Sequence, residues 1–206
     1  MDAEVIDKPR PRARRQSPVM RRQDLLAVTV RCLARYGARG TTGRAICREA
    51  GVSHGLLRHY FDNPDNLLLE TYQQLCDDFL ARFETELLPE PADPWQALER
   101  FFVIAFSEEW ASSEALGAWT AFWGLVSSRG DFAQVSDAFN AGHRALLEKA
   151  AHRLPKPSGM PMADAVAILS AVMDGVWLEY CLSAERTPRA RAVALCNATA
   201  RRLFAG

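Results

Sequence analysis

The stretch "TTGRAICREAGVSHGLLRHYF", residues 41–61, has room for little except two short helices joined by a tight turn. Thr42 is placed to cap the first, Ile46 and Ala50 fall on its inner side, and Gly51 stops it. Ser53 caps the second, which carries Leu56, Leu57 and Tyr60. Upstream, Leu25, Leu26, Val28, Thr29, Cys32 and Leu33 recur at helical spacing from Arg21 until the glycines of "YGARG". A helix followed by a capped pair around a glycine turn is the helix-turn-helix pattern.

The rest of the chain is also helical in pattern. Asn63 can cap a long helix with Pro64 in its first position, running to about Leu88 before Pro89 and Pro91. At ~1.5 Å per residue it would cross much of a domain and tie the head to the C-terminal helices. Five further helices are expected at about 94–110, 113–128, 131–152, 162–183 and 188–204. No period-two alternation and no Asn-Gly hairpin turn interrupts them. The expected class is all-α. Residues 1–20 form a disordered basic arm, 21–66 a three-helix DNA-binding domain with the helix-turn-helix, and 67–206 a helical domain for regulation and dimerisation.

The net charge of zero conceals a division. Residues 1–60 hold 13 Lys and Arg against 5 Asp and Glu, and the remainder holds 12 against 20. The segment "KPRPRARR" supplies five of those basic residues, yet positions 21–60 still carry eight against two acids. The bias therefore outlasts the tail, and a basic head on an acidic body suits a polyanion partner. The five cysteines are odd in number, with no C-x-x-C, which suits free thiols in a reducing cytoplasm. The N-terminus has no apolar h-region, and no uninterrupted apolar run approaches the ~20 residues of a membrane helix.

In a helix-turn-helix the second helix enters the major groove, and residues near its start face base edges. Ser53, His54, Gly55, Leu56 and Arg58 occupy that helix. Serine and histidine can donate or accept, arginine can pair bidentately with guanine, and Gly55 lets the backbone come close. Thr42 and Arg44 suit phosphate contacts, and His59 and Tyr60 each add a donor. Tyr60 and Leu57 also suit packing, and the arginine-rich arm suits an adjacent minor groove.

The run "TTGRAICREAGVSHGLLRHYFDNPDNLLLETY" resembles the DNA-binding domain of TetR-family repressors. The likeness covers roughly residues 21–72: a first helix, a Thr-capped second, A-G-V-S, a short recognition helix and an aromatic pair before a long fourth helix. Members of that family usually carry a lysine just after the aromatic pair, where it meets a phosphate. This chain has Pro64 there, which puts that contact in doubt.

In the body, "GAWTAFWGLV" sets Trp119 and Trp123 on one helix face, and "MDGVWLEYCLS" sets Asp174, Trp177 and Tyr180 at successive spacings of three. Tryptophans so spaced are core filler or the wall of a pocket. An acid one turn from a tryptophan in an apolar helix is costly unless it meets a cation or donors. Aromatic faces with a carboxylate can receive a quaternary ammonium through cation–π attraction. Both segments are similar to those of the choline-responsive BetI branch, with its W-x-x-F-W and D-G-L-W-L stretches, and the similarity extends loosely over most of 95–204. That resemblance implies a homodimeric repressor on a palindromic operator, with the last two helices forming a four-helix bundle, released by choline or another cationic amine. "FNAGHRALLEKA" is less basic than a close BetI relative would have, which leaves room for a different amine.

No catalytic constellation is present: His143 and His152 are far apart, no H-E-x-x-H occurs, and no glycine-rich phosphate loop follows a strand. Asp174 and Glu179, five apart, point in different directions. Neither catalysis nor a cofactor or metal is expected. The competing functional reading is a DNA-bound regulator whose body docks a protein and takes no small inducer. Exposure of Trp119, Trp123 and Trp177 separates the two, since three outward-facing indoles would leave no pocket.

Overall fold

The computed structural model describes residues 17–183 and 187–205, and these form nine helices and no strand. Helix α1 (Pro18–Gly40) starts upstream of the expected Arg21, because Ser17 accepts from Met20 N at 3.3 Å and Pro18 fits the first turn. Residues 18–20 therefore belong to the helix rather than to the arm, whose residues 1–16 lie outside the described part. Gly37 at φ 66° kinks α1 where "YGARG" led us to expect its end, and helical bonding resumes to Gly40.

The head assembles as its caps predict. Thr42 accepts from Ala45 N at 3.2 Å to begin α2 (Gly43–Ala50), and Gly51 ends it in the left-handed region at φ 63°. Ser53 accepts from Leu56 N at 3.2 Å to begin α3 (His54–Phe61). Leu25, Leu26, Val28, Cys32, Ile46, Leu57 and Phe61 close a small core between these helices, each large apolar side chain stabilising it by about 1.5–3 kcal/mol. Leu67 completes that core from α4 (Pro64–Glu86), which is capped by Asn63. Further along α4, Leu68, Tyr72, Cys76, Phe79 and Phe83 are buried in the body. One helix thus serves both cores.

Helix α5 (Pro94–Ala105) stops five residues before its expected end. The chain turns at Phe106, Ser107 N and Trp110 N bond back within the turn, and Phe106, Trp110 and Ala111 all enter the core. Burying those rings outweighs continuing the helix. Next come α6 (Ser113–Val126), α7 (Gly130–Ala151), α8 (Met162–Leu182) and α9 (Arg189–Phe204), within one or two residues of expectation. Helix α8 is long and apolar enough to cross a membrane by length and composition, which leaves standing the expectation of no uninterrupted apolar run. That expectation counted unbroken runs, whereas α8 carries isolated acids. Ala165, Val166, Leu169 and Met173 bury its inner face, and α8 packs on α9, α7 and α6.

The broadest helix contact joins α1 to α6. A β-carbon at Gly117 would lie 2.8 Å from Ala34 Cα and 2.9 Å from Ala34 O, so the two backbones touch where glycine stands. Because the obstacle is backbone, Gly117→Ala should destabilise the fold by about 1–3 kcal/mol in chemical denaturation. An unchanged midpoint would contradict the contact.

Candidate functional site

The outer face of the head presents Thr42, Arg44, Ser53, His54, Gly55, Arg58 and His59 to solvent, with Leu56 and Tyr60 half-buried. Thr42 and Ser53 spend a lone pair on their own helix starts and keep the hydroxyl proton free. His54 is less free than its sequence position implies: its Nδ1 lies 3.4 Å from Cys47 Sγ, and its ring packs beside Gly43. A β-carbon at Gly43 would come within 3.0 Å of Pro64 Cγ, so Pro64 closes the head against α2 where the family pattern has a lysine. Asp65, in the first turn of α4, faces Arg129 at 3.5 Å. At Gly55 a β-carbon would meet nothing nearer than Ser53 Oγ at 3.9 Å. The fold itself does not require glycine there.

The body holds a cavity of about 260 Å³. Trp119 and Trp123 enter it from α6, and Met173, Asp174 and Trp177 from α8. Tyr72 and Phe79 of α4, Ala105 of α5 and Trp110 of the following turn form another wall, and Ser136, Phe139, Asn140 and His143 of α7 complete it. Trp119 is 5% exposed and packs edge-on to Tyr72 and Phe79, so it is core and cavity wall together. Trp123 is 43% exposed at the mouth and crosses the ring of Trp177 at 6.3 Å and 72°. Trp177 is half-buried, fixed by its Nε1 donating to Trp110 O at 3.0 Å.

Tyr180 does not line the cavity, contrary to the sequence expectation; it packs edge-on against Phe106 at 5.7 Å. Each step of three residues turns back about 60° around a helix, so two steps carry Tyr180 about 120° from Asp174. Asp174 sits where solvent reaches it at the rim, yet its carboxyl is pushed up to about 6 by desolvation. It is the one carboxylate among the lining residues, which include no lysine or arginine.

Sequence reasoning missed Trp110, Tyr72, Phe79 and the α7 group. Phe139, Asn140 and His143 fall on one helical face, as do Tyr72 and Phe79, but such spacing also describes ordinary core. The sequence pattern puts Trp110 in a helix that in fact ends before it.

Residues 94–205 match the family model for the BetI-type transcriptional repressor C-terminal domain, and residues 25–71 match that of the tetR family of bacterial regulatory proteins. The chain belongs to the TetR family, with a BetI-type C-terminal domain. That family consists of transcriptional regulators rather than enzymes. The TetR-family chain is 28% identical over 177 residues to the HTH-type transcriptional regulator BetI of Agrobacterium fabrum, covering 85% of this chain and 84% of the relative. A transcriptional regulator from Pseudomonas aeruginosa PAO1 superposes with a TM-score of 0.80 at 32% identity, covering 93% of this chain and 94% of that one. A regulator from Saccharomonospora viridis in complex with choline shares the fold, with a TM-score of 0.71 at 16% identity over 87% of this chain and 95% of that one.

The raised Asp174 carboxyl has a consequence for the TetR-family chain without ligand. The folded state holds this proton more tightly than the unfolded chain does, so the stabilisation is present at low pH and is lost as pH rises towards 6. Asp174→Asn should therefore raise the melting temperature at pH 7.5, with the gain vanishing near pH ~4. A gain equal at both pH values would show that ionisation is not its cause.

Proposed function

We propose that this TetR-family repressor binds a palindromic operator as a homodimer and is released by a small cationic amine of the choline type. The crossing of Trp123 and Trp177 beside Asp174 carries this reading. Two aromatic faces and a carboxylate attract a desolvated cation by about 2 kcal/mol or more. A volume of about 260 Å³ lies below the ~300–1,000 Å³ of typical drug-sized sites, which favours a small ligand. The choline-bound regulator of the same fold supports this chemistry. Burial of Trp119 counts against the alternative in which all three indoles face a protein partner.

On the head, Ser53, His54, Gly55, Leu56 and Arg58 face base edges, while Thr42, Arg44, His59 and Tyr60 hold phosphates and flanks. Exposed Ile168 and Leu182 on α8 and Leu195 on α9 support pairing of the two helices with a second copy. The basic arm follows the adjacent groove.

Two substitutions test the two halves separately. Gly55→Ala should raise helix stability by up to about 1 kcal/mol, since glycine is a poor helix former, yet weaken binding to operator DNA selected from a random pool. Equal or tighter DNA binding would remove Gly55 from the interface. Trp123→Ala should leave the melting temperature and DNA affinity nearly unchanged while raising by tenfold or more the choline concentration needed for release. Unaltered release would refute the cation cage.

A further inference from the structure

Cys47 and His54 stand on either side of the turn between α2 and α3, and the fold brings them together. Cys47 Sγ lies 3.4 Å from His54 Nδ1, close enough for a hydrogen bond to sulfur. Cys47 is 8% exposed, whereas His54 is the first residue of α3 and open to solvent. Burial pushes the Cys47 thiol up from the ordinary cysteine range, so it keeps its proton near neutral pH. Sulfur accepts only weakly, while the bare nitrogen of a neutral imidazole is an acceptor. The thiol is thus the donor and Nδ1 the acceptor.

The other edge of the ring is held too. A β-carbon at Gly43 would lie 3.2 Å from His54 Cε1, 3.5 Å from its Nε2 and 3.0 Å from Pro64 Cγ. The ring therefore sits in the notch that glycine leaves at the first turn of α2, with Pro64 beside the same notch. An exposed histidine ordinarily samples several rotamers, but this one is fixed from two sides. A side chain ordered before association loses less entropy on binding.

The bond at Nδ1 decides what Nε2 offers. A neutral ring that accepts at Nδ1 carries its proton on Nε2, and an imidazolium carries one there as well. In both forms Nε2 donates. Such a group matches guanine O6 or N7, thymine O4 or a phosphate oxygen, and opposes the amino groups of cytosine and adenine.

We propose that Cys47 is a positioning residue for DNA binding: its thiol holds His54 so that Nε2 presents a donor to an acceptor atom on the DNA. This rests on the reading of α3 as the helix that meets the operator, and adds what its first residue recognises. Cys47, being buried, acts only through His54.

A double-mutant cycle on DNA selected from a random pool by the wild-type chain tests the proposal. Cys47→Ala and His54→Ala should each weaken binding by about threefold or more. The double variant should bind as His54→Ala alone does, because both changes remove one interaction. A full further loss on adding Cys47→Ala to His54→Ala would make Cys47 a packing residue and overturn the proposal. No loss in His54→Ala would overturn it as well. A His54→Ala loss that disappears when one base pair is changed puts the acceptor on a base edge. A uniform loss with a shallower salt dependence puts it on a phosphate. Long-range proton–nitrogen correlation spectra of the labelled full chain at pH ~8 read the tautomer directly, with the His54 signals identified by their absence in His54→Ala. They should show Nε2 protonated and Nδ1 bare, and a neutral ring protonated at Nδ1 would overturn the proposal even where Cys47→Ala does not fold. Failure of the wild type to enrich any sequence would overturn the operator reading and this proposal with it.

Discussion

The closeness of α1 and α6 at Gly117 governs how the two halves of this molecule relate. With no side chain between it and the Ala34 backbone, α6 is seated directly on the first helix of the head. Two residues and six residues beyond Gly117 stand Trp119 and Trp123, both on the cavity wall. The head and the cavity therefore share a helix as well as α4. Packed interiors change position by discrete shifts rather than smooth deformation. Under the proposed function, a ligand that displaces the indoles of α6 must move the helix against α1 or strain the contact. A second contact lies at the far end of α6, where Arg129 bridges Asp65 at the start of α4 and covers the ring of Phe132.

The cavity is built from an aromatic core left incompletely satisfied. Tyr72 stacks on Phe122 at 4.6 Å and on Phe132 at 5.8 Å, contacts that hold α4, α6 and α7 together. Within the same wall, Asp174 is held at a raised pKa, His143 is kept neutral, and Trp110 retains an unmet donor. An interior selected for stability alone would replace these groups with apolar ones. Their concentration around one space is what distinguishes the region from ordinary core.

Legibility in the sequence tracked the range of the interactions. Thr42, Gly51, Ser53 and Asn63 act on backbone within three or four residues, so helix starts and stops in the head could be placed closely. Trp119 and Trp123 on α6, and Asp174 and Trp177 on α8, could be named because within each pair unusual side chains repeat one helical turn apart. Trp110, His143 and Tyr72 could not, since what makes them part of the site is the meeting of α4, α7 and the turn after α5. Their local spacing is that of any buried helix face. Tyr180 failed for the complementary reason: spacing of three keeps neighbours together for one turn but drifts off the face over two. Ser17 went unused as a cap because the arginine-rich composition before it obscured the Ser-Pro start.

The division of charge gives the arrangement a direction. The helix-turn-helix puts Arg44, Arg48 and Arg58 on exposed positions, while the acid excess lies in the sequence beyond residue 60. A chain of zero net charge so divided has no overall attraction to a polyanion at long range, but it has a strong preference for approaching head first. Under the proposed function, phosphate contacts from the head then add affinity that falls with salt, without carrying sequence information. Under the same proposal, discrimination comes from the few side chains at the start of α3. Gly55 is the second residue of that helix, and within the protein a β-carbon there would meet only Ser53 Oγ, at 3.9 Å. Under the proposed function, a glycine that weakens its helix without an internal contact to require it is explained by the DNA that approaches from outside.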